Sequence, residues 1–72
     1  MNGQRIAVIV TPPGADGWGA VSYSGQQRQC WFKPARFAAP NPVPLTADRV
    51  FITFGAGRRI EATWLLGKGT PA

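Results

Sequence analysis

The sequence predicts an all-β fold, a small five-stranded β-barrel, on three observations. Its apolar runs are short, β-branched and cut apart by turn residues, with 9 Gly and 7 Pro among 72 positions, a pattern of strands and turns rather than long helices. Strict alternation appears where a half-buried strand needs it, with Val50, Ile52 and Phe54 on one side and Phe51 and Thr53 on the other. An open sheet this apolar would also expose pairing edges, which closure into a barrel removes.

The elements follow in order. Residues 4–10, QRIAVIV, are nearly continuous in apolar character and too short for a helix, so they read as a well-buried first strand. Pro12 and Pro13 cannot donate to a ladder and Gly14 permits positive φ, which makes residues 11–16 a loop. A second strand over 17–23 turns at Ser24-Gly25-Gln26 into a third over 28–33, RQCWFK. Pro34 stops it. Residues 35–39, ARFAA, suit a single helical turn before Pro40, Pro42 and Pro44 forbid regular structure. The fourth strand is 48–54, DRVFITF; Gly55-Ala56-Gly57 turns the chain into a fifth over 58–66, RRIEATWLL, and a loose tail fills 67–72. No repeat interrupts this order, and residues 1–72 form one domain. Five strands with a long connection between the third and fourth fit either an OB-fold or an SH3-like barrel.

Composition excludes several chemistries. No histidine is present, so a Ser/His/Asp triad, a Cys/His dyad and a His-based metal cluster have no basis, and the single cysteine, Cys30, supports neither an internal disulfide nor a multi-cysteine zinc site. The three acids, Asp16, Asp48 and Glu61, fall in two turns and a strand, a poor setting for a catalytic pair. Gly55-Ala56-Gly57 before Arg58-Arg59 lacks the Gly-Lys-Ser/Thr ending of a phosphate-cradling loop and reads as a hairpin turn. The expectation is a protein that is not an enzyme, with no cofactor and no metal. No apolar run approaches the ~20 residues of a membrane span, and Met1-Asn2-Gly3-Gln4 does not open a secretory leader; a cytoplasmic protein with no membrane partner is expected.

Charge is more informative. Eight Lys and Arg against three acids leave a formal net charge of +5, the electrostatic footprint of a protein that meets a polyanion. Alternation places Val21 inside with Gly19 and Tyr23, and Cys30 inside with Phe32, leaving Trp18, Ala20 and Ser22 to face outward with Trp31 and Lys33. Two indoles thus come together on hairpin-linked strands. A base stacked on such a ring contributes ~1–3 kcal/mol irrespective of its identity. Arg28, Lys33, Arg36, Arg58 and Arg59 are the candidate phosphate contacts, with Arg5 and Lys68 behind them. Gly17 and Gly19 would clear space beside Trp18 for a nucleotide. The structural alternative is that Trp18 closes one end of the barrel and the glycines mark a bulge. Trp64 shares parity with Ile60 and Ala62 and is expected to be buried; Cys30 reads as a small core residue.

The order of features resembles a cold-shock domain. Asp16-Gly17-Trp18-Gly19-Ala20-Val21 stands where that family carries K-G-F-G-F-I, Cys30-Trp31-Phe32-Lys33-Pro34 is similar to its V-F-V-H-F, and Ala47 through Phe54, Gly55-Ala56-Gly57 and Arg58 through Leu65 match its last two strands and their Gly-rich turn. The resemblance spans nearly the whole chain. It departs where Ala20 replaces a stacking phenylalanine, Lys33 a histidine and Pro34 another aromatic, where the first strand lacks a Trp-Phe pair, and where the first loop is longer. The length and Leu45 through Val50 also look like initiation factor one, a ribosomal-RNA-binding OB-fold. The resemblance implies an OB-fold barrel that binds single-stranded RNA or DNA without catalysis. The competing expectation is a protein-interaction module that docks on a larger transcription or translation machine, since Trp and Arg also dominate protein interfaces.

Overall fold

The computed structural model describes residues 5–55, 57 and 59–65; Arg58, Lys68 and the tail at 67–72 lie outside these. The elements are β1 (Arg5–Thr11), β2 (Trp18–Tyr23), β3 (Gln26–Phe32), α1 (Pro34–Phe37), β4 (Arg49–Phe54) and β5 (Ile60–Trp64). They close into a barrel in the order β1-β2-β3-β5-β4. An antiparallel meander of β1, β2 and β3 is joined by β4, which returns antiparallel to β1, and by β5, which fills the gap with an antiparallel contact to β4 and a parallel one to β3. This is an OB-fold-like barrel.

The inner faces follow the alternation. Ala7 and Ile9, Val21, Cys30 and Phe32, Val50 and Ile52, and Ile60 and Ala62 are each no more than 3% exposed. Among the described residues no charged side chain is buried, so apolar burial is what holds the barrel closed. One end is plugged by aromatic rings. Phe37 meets Phe32 edge-on at 5.1 Å between centroids and Trp64 at 4.8 Å, a separation at which ring pairs attract beyond their burial. A helix of one turn has no stability of its own, so α1 exists because Pro34 presets its first turn and Phe37 anchors it. Trp64 is buried, as its parity predicts. At the other end Phe54 is 44% exposed and stacks edge-on against Tyr23 at 5.7 Å.

Three differences from the sequence reading have physical causes. First, β1 is not buried on both sides: Ile6 and Val8 are 53% and 40% exposed, because barrel closure covers only the inner side of a strand. Second, β3 begins at Gln26 rather than 28. Ser24 and Gly25 both take positive φ, 49° and 77°, making the two-residue mirror-image turn whose twist matches the flanking strands, and pairing resumes at once with Tyr23 opposite Gln26. Third, β5 is shorter than expected, since Gly55 N–H donates to the Arg59 carbonyl at 2.8 Å and the turn reaches Arg59.

The proline-rich connection is tied to β1 by two backbone bonds, Ala47 N–H to the Ile9 carbonyl and Ile9 N–H to the Asp48 carbonyl, both 2.8 Å. Asp48 also accepts the Leu45 N–H on its carboxylate at 3.1 Å. Ala47 is thereby held at φ 77°, a left-handed conformation that costs a residue with Cβ ~1–2 kcal/mol, while glycine forfeits ~0.5–1 kcal/mol in chain entropy. Ala47→Gly is therefore expected to raise unfolding free energy by ~0.5 kcal/mol, moving Tm up by roughly 2–4 °C. A lower Tm in thermal melts would contradict that balance.

Candidate nucleic-acid interface

Trp18 on β2 and Trp31 on β3 are directly opposite in the ladder, followed outward by Ala20 opposite Gln29 and Ser22 opposite Gln27. Both indoles are half-buried. The fold therefore builds the two-tryptophan face the alternation calls for, on a surface flanked by the first loop and by the turn between β4 and β5.

The two rings differ in what surrounds them. Trp31 is already in contact. The Arg59 guanidinium carbon lies 4.7 Å from its ring centroid, and Arg59 pairs with Glu61 at 3.6 Å, a neighbour that β5 sets beside Trp31 through the parallel register. Against the pyrrole edge of the same ring sits Gly17, buried and at φ 85°, with a Cβ position only 3.0 Å from Trp31 Nε1 and from the Phe32 carbonyl oxygen. Phe32 N–H donates to the Gly17 carbonyl at 2.7 Å, clamping this loop to β3. Trp18 is held by its backbone: its N–H donates to Asp16 Oδ1 at 3.0 Å and its carbonyl accepts from Gly14 N–H at 3.1 Å.

At both glycines the place a Cβ would take is filled by the protein itself. The space where Gly17 would carry a side chain is taken by Trp31 and Phe32. At Gly19 it is taken by the backbone of Thr11, Pro12 and Pro13, because β1 shifts register between Ile9 and Thr11 and folds over β2. The bulge is therefore in β1, opposite the β2 glycines, and Trp18 stays half-buried and outside the core. Gly19 nonetheless borders the larger of two openings beside Trp18. A cavity of about 450 Å³ lies beside Trp18 over Ala20, bordered by Thr11, Gln27, Arg28 and Gln29. A second of about 390 Å³ shares Trp18, Arg28 and Gln29 and extends to Gly57 and Arg59.

Of the predicted cations, Arg28 and Arg59 border the cavities beside Trp18. Arg28 has the parity of Cys30 but is exposed, since β5 is in register with β3 only at Trp31 and Phe32 and the start of β3 runs past the barrel wall. Lys33 and Arg36 are exposed at α1, where Arg36 N–H donates to the Lys33 carbonyl at 2.9 Å, and neither borders the cavities around Trp18. Arg5 is exposed at the far end of the hairpin and donates to Ser24 Oγ at 3.0 Å. Sequence reasoning missed Glu61 and Gln29, whose roles depend on strand registers that no local pattern encodes.

Cys30 lies beneath this face, fully buried. Burial, helped by the negative charge of Glu61, pushes its thiol from an ordinary 9.0 up to about 12, so it is neutral at pH 7 and a poor nucleophile. Because the folded value is raised, the unfolded chain releases this proton first, and the contribution to stability is complete below pH 9 and lost as pH rises toward 12. Cys30→Ala is expected to flatten the alkaline loss of stability by up to ~1.4 kcal/mol per pH unit, read from urea unfolding at pH 8, 9 and 10. Equal slopes in both proteins would refute this. Among the described residues no three His, Cys, Asp or Glu side chains gather as a metal site would require, and no helix is long and apolar enough to cross a membrane.

Comparison of the chain with protein-family models, with curated proteins and with solved structures returns no match in any of the three.

Proposed function

We propose that the chain is a non-catalytic, cytoplasmic single-stranded nucleic-acid-binding protein of cold-shock type, which stacks bases on Trp18 and Trp31 and meets phosphates with nearby arginines. The observation that carries this reading is the cross-strand pair of half-buried indoles with Arg28 and Arg59 beside them. Strands two and three of an OB-fold barrel, with the loops that flank them, are the surface on which such barrels bind oligonucleotides. The net charge of +5 supplies the long-range attraction. Selectivity among RNA and DNA sequences is modest on this reading, because stacking accepts any base.

Titration of a fluorescent single-stranded oligonucleotide at two salt concentrations tests it. Binding should weaken with added salt, the logarithmic slope steepening by ~0.7 for each phosphate contacted. Failure to bind at low salt, or binding unchanged when Trp18→Ala and Trp31→Ala are combined, would overturn the proposal. The second reading is a protein-interaction module that docks through the same aromatic face, where Trp and Arg serve equally as anchors, and a second surface adds to it. An apolar cavity of about 330 Å³ walled by Pro12, Pro13, Phe37, Val43 and Pro44 lies near the exposed Lys33 and Arg36 of α1, chemistry suited to an acidic, apolar segment of a larger transcription or translation machine. Affinity for a protein partner that persists after nuclease digestion would favour this second reading.

A further inference from the structure

The two cavities beside Trp18 share a chemical bias. The residues that border them include two arginines, Arg28 and Arg59, and two glutamines, Gln27 and Gln29, and no aspartate or glutamate. Guanidinium groups only donate hydrogen bonds, and each offers a planar fork of N–H groups. The donors therefore outnumber the acceptors around any base stacked on Trp18. Arg59 is engaged with Trp31 and Glu61, whereas Arg28 borders both cavities from the stretch of β3 that precedes its pairing with β5.

We propose that the groove beside Trp18 selects a guanine within the bound single strand, the base stacking on the Trp18 indole while Arg28 donates to N7 and O6. This rests on the single-strand reading above. Guanine presents two adjacent acceptors on that edge, and a bidentate guanidinium is their natural complement; adenine and cytosine each place an amino donor where Arg28 can offer only another donor. Uracil presents a carbonyl acceptor without the neighbouring N7 and has a smaller ring to stack. Room for the larger base comes from Ala20, a small residue on the border of the larger cavity, while the bonds to Asp16 and Gly14 hold the Trp18 backbone in place before a ligand arrives.

Fluorescence anisotropy with the full chain and a uridine hexamer, alone or with one central guanine, adenine, cytosine or 7-deazaguanine, tests the assignment. A single guanine should tighten binding about tenfold over uridine alone, and adenine, cytosine and 7-deazaguanine should stay within about threefold of it. Arg28→Lys keeps the charge but loses the fork, so within that variant the guanine and uridine hexamers should bind with affinities within about twofold of each other, whatever the variant costs both. Equal affinity for all hexamers, or an advantage that survives Arg28→Lys, overturns the guanine assignment while the single-strand reading stands. Absence of binding by every hexamer at low salt overturns both. Guanosine monophosphate binding as tightly as the guanine hexamer would assign the groove to a mononucleotide and overturn recognition within a strand.

Discussion

Gly19→Ala is expected to destabilise the barrel by ~3 kcal/mol, near the upper end of what overpacking a closed site costs. The added methyl would run into the Thr11 carbonyl oxygen and stand 3.0 Å from Pro12 C and Pro13 N. All three are backbone atoms, and two prolines fix the φ angles of the segment that would have to move. A domain of this size has ~4–10 kcal/mol to lose, so urea unfolding should show a midpoint lowered by a large fraction with the slope preserved. Gly25→Ala is the internal control. Its Cβ would find nothing within 4 Å but would sit at φ 77°, so its cost should be limited to the ~1–2 kcal/mol of a left-handed residue. A Gly19 variant less damaging than the Gly25 variant would mean that the first loop does not press on β2 as described.

The same glycine marks the boundary of what the sequence makes legible. Alternation identified the inward residues of β2, β3, β4 and β5 because side-chain direction in a strand is a local property. It placed Trp18 and Trp31 on one face for the same reason. The exposure of Ile6 and Val8 was hidden, since an apolar run looks alike whether both sides or one are covered. Gly17 and Gly19 were legible as places where a side chain is unwelcome; whether a ligand or the protein fills the space depends on the path of another segment. The grouping of Trp31, Arg59 and Glu61 requires a parallel contact between β3 and β5 across the whole proline-rich connection. No turn sets that register. Arg28 is the converse case: it is expected as a surface cation and is exposed, although it shares the parity of buried Cys30, because β5 pairs with β3 only at Trp31 and Phe32.

Trp18→Ala is expected to weaken binding of a single-stranded oligonucleotide by about ten- to a hundredfold, the full value of one base stack, whereas Trp31→Ala should cost less than about fivefold. Magnitudes decide the order. To stack on the face of Trp31 covered by Arg59, a base must displace a guanidinium held by a cation–π contact of ~0.5–1 kcal/mol and by an exposed ion pair to Glu61 of no more than ~1 kcal/mol. Those losses cancel much of the ~1–3 kcal/mol that a stack returns. Trp18, which borders both cavities, has no cation stacked on it among the described residues, so that cost does not arise there. Glu61 is the acid that holds Arg59 back. Glu61→Gln should tighten binding about two- to threefold at low salt, by freeing Arg59 for phosphate and removing a repulsive charge, and the gain should fade as salt screens it. Competition titrations of the three variants against one oligonucleotide measure all three effects. Equal losses at the two tryptophans, with no gain from Glu61→Gln, would show that Arg59 does not guard Trp31 and that the indoles act as equivalent platforms.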